Sequence, residues 1–340
     1  MSVNNDSGPS EDQLLTDLLK AVSRSFYLTL RVLPKAVRRP ISIAYLLART
    51  SDTIADTDVL DAASRLDSLD QLNQAIARPA PQQCDFAVFL THQSRGKERE
   101  LLQRVNESLA LLSSVDEEDL RLIRKVLEII ISGQRLDLQR FQDASANQIV
   151  SLSRASDLDD YTYRVAGCVG EFWTRICFKH LLPNSPLPTP QLIEQSIRFG
   201  KGLQLVNILR DLGEDLNQGR CYLPADELAS CHLKPESLSE HQEDLSPLFQ
   251  KHIALAQDHL HAGWAYTNQL PWAWVRVRLA CAWPILLGLM TLEQLPVKSP
   301  TDRSKRAKVT RREVKSVILK SIVAYPFPPL WRGLVKKQNS

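Results

Sequence analysis

Apolar residues recur at spacings of three and four along most of this 340-residue chain, the pattern that predicts amphipathic helices. The clearest stretches cover residues 98–141, 246–269 and 272–293. Near the start, Ser10 and Gln13 precede a run of leucines, as in a capping box that opens a helix. No segment shows the sustained alternation of apolar and polar residues that is typical of strands. The pattern therefore predicts an all-α fold.

Two of the predicted helices turn polar on one face near their ends. The first carries Asp52 and Asp56 in its last turns, and the second carries Asp211 and Asp215. The second helix is expected to end near Gly219, since glycine is a favoured residue after a helix C-terminus. Each pair is spaced i,i+4, so its two carboxylates lie on one helix face.

A third predicted helix begins near Asp157 and contains several small residues, Ala166, Gly167 and Gly170. Glycine inside a helix costs about 1 kcal/mol relative to alanine, so its presence needs a reason. Two reasons stay open: close packing of another helix backbone, or close approach of a ligand.

Breaks in the pattern predict three regions: a polar, disordered tail over 1–9, a single all-α domain over 10–295, and a basic linker with a C-terminal helical segment over 296–340. The longest apolar run, Leu279–Leu292, contains Pro284 and is too short to span a bilayer, so it is expected to be a core helix.

The composition of the chain bears on its cellular compartment and on the class of partner that it binds. The N-terminus lacks the basic start and apolar stretch of a signal peptide, and the 6 cysteines form no CxxC pair, which together predict a cytoplasmic protein with free thiols. A net charge of +3, from 42 basic and 39 acidic residues, gives no field that favours nucleic acid as a partner. The carboxylate pairs are therefore local features.

The carboxylate pairs are typical of a magnesium site. Two like charges at i,i+4 destabilise an isolated helix by about 0.2–0.5 kcal/mol, so Asp52 with Asp56 and Asp211 with Asp215 do not help their helices form. Hard oxygen ligands that leave Mg²⁺ open to substrate phosphates are a physical reason for the arrangement. The alternative is an acidic pair on a solvated helix face.

The polar residues around the second pair extend this hypothesis. Gln204 and Asn207 precede the two aspartates on the same face of an otherwise apolar helix, so this face borders either solvent or a wet cavity. Arginines stand beside both pairs, and a guanidinium suits diphosphate oxygens, although each could instead pair with a local carboxylate or lie at the surface. They are Arg24, Arg49, Arg210 and Arg220.

Four blocks in this order resemble the signature blocks of the squalene/phytoene synthase family. They are Ser23-Arg-Ser-Phe-Tyr27, Tyr45-Leu-Leu-Ala-Arg-Thr-Ser-Asp-Thr-Ile-Ala-Asp56, Tyr161-Thr-Tyr-Arg-Val-Ala-Gly-Cys-Val-Gly-Glu171 and Gln204-Leu-Val-Asn-Ile-Leu-Arg-Asp-Leu-Gly-Glu-Asp-Leu-Asn-Gln-Gly-Arg-Cys-Tyr-Leu-Pro224. The resemblance implies an isoprenoid synthase fold whose helices surround a central cavity, with both aspartate motifs at its polar mouth.

The same resemblance implies roles for individual residues. The magnesium ligands would be Asp52, Asp56, Asp211 and Asp215, with Asn207 assisting. Diphosphate oxygens would be bound by Arg24, Ser25, Arg49, Gln204, Asn207, Arg210 and Arg220. Tyr161 would lie near the reacting carbons, where either it or released diphosphate removes a proton.

Within this family the sequence is expected to be closest to bacterial squalene synthases. Such an enzyme joins two farnesyl diphosphates head to head through presqualene diphosphate and reduces the product with NADPH, and Lys308 and Arg311 are candidates for contact with that reductant. Phytoene, dehydrosqualene and presqualene diphosphate synthases, which lack the reductive step, remain alternatives, with geranylgeranyl diphosphate as the substrate of the first. A non-catalytic helical protein is a further one, disfavoured because no motif aspartate or arginine is missing.

The protein is expected to be a monomer, and contact with a membrane is a further possibility. Near the C-terminus, Trp331 with Arg332, Lys336 and Lys337 could rest on a membrane interface, or Trp331 and Phe327 could pack in the core.

Overall fold

The computed structural model of the chain describes residues 15–17, 19–20, 26–57, 60–78, 83–86, 89 and 96–335. The predicted tail over 1–9, the capping box at Ser10, and Arg24 and Ser25 lie outside the described residues, as do Lys336 and Lys337.

The described residues confirm the all-α prediction. The α-helices, in chain order, are α1 (Phe26–Val32), α2 (Lys35–Asp56), α3 (Ala62–Ala77), α4 (Lys97–Gln103), α5 (Val105–Ala110), α6 (Glu117–Arg140), α7 (Ala155–Thr162), α8 (Cys168–Leu181), α9 (Pro190–Asn217), α10 (Ala225–Ser230), α11 (Gln242–Gln269), α12 (Val275–Glu293), α13 (Arg311–Ala324) and α14 (Pro328–Arg332).

Short segments complete the described secondary structure. The π-helical turn Tyr163–Gly167 joins α7 to α8, and 3-10 turns cover Leu111–Ser114, Pro235–Ser237 and Arg303–Lys305. Strands β1 (Val150–Ser151) and β2 (Arg220–Cys221) form a parallel pair, with Val150 opposite Arg220 and Ser151 opposite Cys221.

The chain forms two compact units, 1–135 and 136–340. Residues 296–340, which the sequence sets apart as a linker and C-terminal segment, therefore belong to the same unit as the helix with the second aspartate pair. The single domain proposed over 10–295 stays a prediction, and each unit is described by itself below.

The first unit is built around α2, whose apolar face is fully buried, including Ile43, Leu46 and Ile54. The helix begins at Lys35 and contains Pro40. Proline is tolerated there because its missing N–H removes only one bond of the second helical turn, while the rest of α2 packs against α3 and α5. This packing fixes the end of α2, where the first aspartate pair lies.

The second unit is organised by its two longest helices, α9 and α11, which pack along each other. A Cβ atom added to Gly202 would lie 3.0 Å from the His259 Cβ, and one added to Gly263 would lie 2.9 Å from the Phe199 Cβ. Only glycine permits so close an approach of the two backbones.

The small residues of the third predicted helix serve helix packing. A Cβ atom on Gly170 would overlap the carbonyl oxygen of Ser196 on α9, and one on Gly200 would overlap the carbonyl oxygen of Ala166. The backbone of α9 thus occupies the space above Gly170, which decides between the two reasons that the sequence left open.

Helix α12 is the core helix that the apolar run Leu279–Leu292 predicts. Among the described helices it is long and apolar enough to cross a membrane by length and composition, yet 67% of its most apolar stretch is buried in the structure.

The cysteine thiols are free, as expected, and of the six cysteines only Cys231 is not buried.

At the C-terminus the two aromatic residues behave differently. Trp331 is fully buried and its indole stacks on Trp264 with ring centres 5.1 Å apart, so the expectation that Trp331 rests on a membrane is wrong. Phe327, which the sequence offers as a core residue, is 55% exposed. The physical reason is the direction in which α14 leaves the turn after α13, which sequence spacing does not reveal.

Candidate active site

The first aspartate pair lies in the last turns of α2. The Arg49 guanidinium forms a salt bridge with the Asp52 carboxylate, and its other amino group lies 3.5 Å from Glu98 Oε1 on α4. Asp52 is half-buried and Asp56 is exposed. The pair therefore offers one carboxylate held by an arginine and one open to solvent.

The position of this pair is electrostatically unfavourable. The carbonyl groups at the end of a helix carry partial negative charge, and α2 has no basic residue in its last turn to offset it. Burial and the negative charge of Glu98 raise the pKa of Asp52 above its ordinary value. The positive charge of Arg49 lowers the pKa but does not cancel this increase. A bound cation would relieve all of these repulsions, so the carboxylates suit Mg²⁺.

The second aspartate pair has the same placement, in the last turns of α9, and the final turn of this helix again has no basic residue. Two arginines compensate Asp211. The Arg210 Nε and Nη2 atoms donate to its two oxygens at 2.9 and 2.6 Å, and the Arg306 Nε atom, from the segment before α13, donates at 2.7 Å. Burial favours the neutral acid, but the two guanidinium groups prevail and lower the pKa of Asp211.

Asp215 is in the opposite electrostatic state. Burial and the negative charges of Asp211 and Asp137 raise its pKa to about 7, and Arg220 and Arg306 only partly offset them. At neutral pH the end of α9 thus holds an ionised Asp211 and a partly protonated Asp215. A divalent cation would lower the pKa of Asp215, so this pair also fits Mg²⁺.

The amides predicted to line this face are accessible. Asn207 is exposed and Gln204 is half-buried, and the Asn207 Nδ2 atom lies 3.5 Å from Gln204 Oε1. On the same helix Leu205 and Leu209 are buried. The polar stripe of α9 therefore avoids the dry core, and its amide and carboxylate oxygens face a region that ligands can reach.

A buried network joins β2 to α6 and α7. The Tyr222 hydroxyl donates to the Asp137 carboxylate, 3.1 Å from each oxygen, and the Arg220 Nη1 atom lies 3.9 Å from Asp137 Oδ2. The rings of Tyr161 and Tyr222 stack with centres 4.9 Å apart, and their hydroxyl oxygens are 3.5 Å apart. The parallel pairing of β1 and β2 holds Arg220 and Tyr222 at this point of the fold.

Burial sets the protonation states in this network. It raises the pKa of Asp137 to about 6, although Arg220 and the hydrogen bond from Tyr222 pull the pKa down. Burial and the Asp137 charge raise the pKa of Tyr222 well above its ordinary value. At neutral pH the network therefore holds an ionised Asp137 that accepts a hydrogen bond from a neutral Tyr222.

The sequence analysis did not predict several of the residues that the structure places at these sites. Asp137 lies in an amphipathic helix with no motif around it, and Arg303 and Arg306 lie in a basic segment typical of a solvated linker. Tyr222 lies inside the fourth signature block, and this position was the one sequence feature that could have identified it as a site residue. Arg303 Nε pairs with Glu214 Oε1 at 3.0 Å, so this segment binds the carboxylate end of α9 at two points.

The predicted residues fall as follows. The end of α2 brings together Arg49, Asp52 and Asp56. In the second unit, α9, β2 and α7 carry Gln204, Asn207, Arg210, Asp211, Asp215, Arg220 and Tyr161. Lys308 and Arg311 are exposed, and Arg306, two residues before Lys308, makes the contact to α9.

Comparison with known sequences identifies the relatives of this chain. The family model described as squalene/phytoene synthase matches residues 19–313. The presqualene diphosphate synthase of Rhodopseudomonas palustris is 33% identical over 206 residues, 61% of this chain and 60% of that protein. The 15-cis-phytoene synthase of Synechococcus elongatus is 28% identical over 64% of this chain and 61% of that protein. The squalene synthase of Cyberlindnera jadinii is 26% identical over 94% of this chain and 70% of that protein.

The chain thus spans about three fifths of the length of the phytoene and presqualene diphosphate synthases that it matches. Among solved structures, the complex of TcSQS with the ligand E5700 has a TM-score of 0.75 at 22% identity, covering 92% of this chain and 86% of that one. A dehydrosqualene synthase in complex with ligand has a TM-score of 0.64 at 19% identity, covering 93% of this chain and 96% of that one. At such identities these two structures support the isoprenoid synthase fold alone.

The family match covers most of the chain, including all four signature blocks and the ends of α2 and α9 that carry the aspartates. The chain belongs to the squalene/phytoene synthase family, whose enzymes transfer prenyl groups by head-to-head condensation.

Proposed function

We propose that this protein is a squalene synthase, which joins two molecules of farnesyl diphosphate head to head and reduces the presqualene diphosphate intermediate to squalene. The observation that carries the prenyl transfer is the repeated placement of two carboxylates and an arginine at a helix C-terminus, on α2 and on α9. Negative groups gathered where a helix is already negative favour a cation, and a cation with arginines favours diphosphate.

The first step of such a reaction is loss of diphosphate from an allylic carbon. At the first motif Asp52 and Asp56 would hold Mg²⁺, and at the second motif Asp211 and Asp215 would hold it with Asn207 assisting. The bound cation would supply positive charge to the leaving group. Arg49, Arg210 and Arg220, which interact with carboxylates of the two motifs, would bind phosphate oxygens. Arg306 adds a fourth guanidinium that the sequence does not predict.

The second step forms a cyclopropane and releases a proton from carbon. We assign the acceptance of this proton to the Tyr161 hydroxyl. As the C–H bond breaks and a new O–H bond forms on Tyr161, its own proton passes to Tyr222 and the Tyr222 proton passes to the Asp137 carboxylate. The hydrogen bonds of this network run in that direction, and an Asp137 pKa of about 6 leaves the carboxylate ionised at neutral pH.

The reductive step separates squalene synthases from their relatives. Support for it comes from the C-terminal region: the match to a squalene synthase extends over 94% of this chain, against 64% and 61% for the phytoene and presqualene diphosphate synthases. NADPH would supply the hydride, and Lys308 and Arg311, exposed beside the segment that binds α9, are the cations proposed for its phosphates. A phytoene, dehydrosqualene or presqualene diphosphate synthase is the alternative, because the matched relatives include a phytoene synthase and a presqualene diphosphate synthase.

Product analysis tests the proposal. Purified protein with farnesyl diphosphate and Mg²⁺ should release presqualene diphosphate, and squalene should form once NADPH is added. Phytoene from geranylgeranyl diphosphate, or arrest at presqualene diphosphate in the presence of NADPH, would replace squalene synthase by the corresponding alternative.

A second experiment separates an enzyme from a helical scaffold that has kept the fold. Asp52→Asn should reduce turnover at least about a hundredfold, because it removes charge that stabilises the leaving group, while the unfolding transition stays near that of the wild type. Absence of turnover in the wild type would support the scaffold, and unchanged turnover in the variant would contradict the role proposed for Asp52. Location in the cytoplasm and a monomeric state stay predictions from the sequence.

A further inference from the structure

A cavity of about 350 Å³ lies among α11, α12, α13 and the residues that follow α14. We refer to it as the C-terminal cavity. Its volume falls within the range of roughly 300–1,000 Å³ that is usual for small-molecule sites, and its walls are mostly apolar, as in such sites. The apolar wall residues are Leu286, Leu289, Met290, Val317, Leu334 and Val335.

Hydrogen bonds of buried side chains hold the helices around the cavity. The Trp283 indole on α12 donates to Ser321 Oγ on α13 at 2.9 Å, and the Trp331 indole on α14 donates to Asn268 Oδ1 on α11 at 2.9 Å. Both indoles are buried. Closing the cavity by moving α13 or α14 would leave buried N–H groups without partners, which is unfavourable, so the cavity belongs to the fold.

The cavity is separate from the candidate active site. On α12, a Cβ atom added to Gly288 would lie 3.6 Å from Val206 Cγ2 of α9, the helix that carries the second aspartate pair. Successive residues of a helix are rotated by about 100°, so Leu289 and Met290 lie on other faces of α12, where they line the cavity. None of the lining residues is among those of the candidate active site.

One nitrogen atom in the cavity wall lacks a partner. The His261 ring is half-buried, and its Nε2 atom is buried with no hydrogen-bond partner among the described residues. A half-turn of the ring about its bond to Cβ exchanges the two edges of the imidazole, and this torsion of histidine is broad and roughly two-fold. The same side chain can therefore present Nε2 to a ligand in the cavity.

The protonation state of His261 limits what that ligand can be. Burial lowers the pKa of the imidazole, and the negative charge of Asp258 only partly offsets this effect. The ring is therefore neutral at neutral pH, and Nε2 either donates or accepts one hydrogen bond, according to the tautomer. A hydroxyl group both donates and accepts, so it satisfies this nitrogen in either tautomer.

The charges at the rim of the cavity cancel. Glu293 on α12 and Lys320 on α13 are both exposed and contribute one charge of each sign. Such a rim gives no preference for an anion or a cation, and an apolar interior penalises a charged group strongly. The cavity thus favours a neutral ligand.

We propose that the C-terminal cavity binds a neutral alcohol whose apolar body has about ten carbon atoms, with its hydroxyl on His261 Nε2 and its carbons against Leu289, Met290 and Val317. At about 30 Å³ for each non-hydrogen atom, the share of one molecule in liquid water, 350 Å³ holds roughly a dozen such atoms. Hydrolysis of a short prenyl diphosphate yields alcohols of this class, and geraniol, with ten carbon atoms, is the probe of choice.

Equilibrium dialysis of the whole chain against radiolabelled geraniol, without Mg²⁺ or prenyl diphosphate, tests the proposal. Leu289→Trp should bind one equivalent less than the wild type, because the larger side chain fills the cavity. The matched variant Leu255→Trp changes a leucine of α11 that is 40% exposed and lies outside the cavity, so it should bind as the wild type does.

His261→Phe tests the hydroxyl. Phenylalanine keeps an aromatic ring but has no nitrogen, so the affinity of the same equivalent for geraniol should fall about tenfold, the size expected for one hydrogen bond. Circular dichroism should show wild-type helicity in each variant, and if Leu289→Trp does not fold, His261→Phe decides. Equal numbers of equivalents in the wild type and a folded Leu289→Trp would overturn the proposal, as would absence of binding by the wild type or unchanged affinity in His261→Phe. Because no substrate is present, these outcomes are independent of the product that the enzyme makes.

Discussion

Neutralising the two aspartates of α9 one at a time should change the stability of the protein in opposite directions. Asp215 has a pKa of about 7 against an ordinary value of 3.8, because burial, Asp211 and Asp137 penalise its charge. The native state therefore binds more protons than the unfolded chain between about pH 4 and pH 7, and stability falls as pH rises through that window. Replacing Asp215 by asparagine removes this penalty and should stabilise the protein at pH 8 in the absence of divalent cations.

The size of the effect follows from the pKa difference. At about 1.4 kcal/mol for each pKa unit, a change from 3.8 to about 7 corresponds to at most about 4 kcal/mol. Because Asp215 is only partly buried, solvent screens the repulsion, and we expect about 2 kcal/mol for Asp215→Asn at pH 8. At pH 5 the folded-state carboxyl is protonated but that of the unfolded chain is mostly ionised, so the gain should fall to less than half, and it should vanish below about pH 4.

Asp211→Asn is the matched control. The pKa of Asp211 is lowered by Arg210 and Arg306, so its charge stabilises the native state above about pH 4 and that contribution is lost as pH falls through the folded-state pKa. The variant should therefore lose about 1 kcal/mol at pH 8, where the Asp215 variant gains.

Urea unfolding in EDTA, followed by tryptophan fluorescence, measures both variants. All 6 tryptophans lie beyond residue 135, so the signal reports the second compact unit, in which both aspartates are found. The reasoning is refuted if Asp215→Asn is no more stable than the wild type at pH 8, or if its gain is the same at pH 5. Adding Mg²⁺ at pH 8 should then stabilise the wild type more than the Asp215 variant.

Three further predictions concern packing, proton transfer and diphosphate binding. Gly170→Ala should destabilise the second unit by about 1–3 kcal/mol in urea unfolding, because its Cβ would overlap the backbone of Ser196. Tyr222→Phe keeps the ring stack but breaks the path to Asp137, so kcat should fall at least about tenfold with little change in KM, and more diphosphate should be released per coupled product. Arg306→Gln should raise KM for the prenyl diphosphate about tenfold in steady-state assays, because it removes a guanidinium from the end of α9.

Much of the fold could be predicted from the sequence, because apolar periodicity directly reflects which helix face is buried. The ends of α2 and α9, with their aspartates in the last turns, follow from the pattern and from glycine after the second helix. The small residues around Gly170 are different, since a glycine inside a helix permits close approach without stating what approaches. That α9 rather than a ligand lies there is a fact of packing.

The sequence by itself determined the helical class, through apolar periodicity, and the family, through four ordered blocks of residues. It also placed Arg49 beside Asp52 and Arg210 beside Asp211, because the members of each pair lie within one turn of the same helix. Only the tertiary structure decided the protonation of Asp215 and the network of Asp137, Tyr222 and Tyr161. Asp137 and Tyr222 are 85 positions apart, and their contact arises from the packing of α6 against the segment that follows β2. Burial and long-range charge depend on the sum of all neighbours in space, and a linear pattern does not contain that sum.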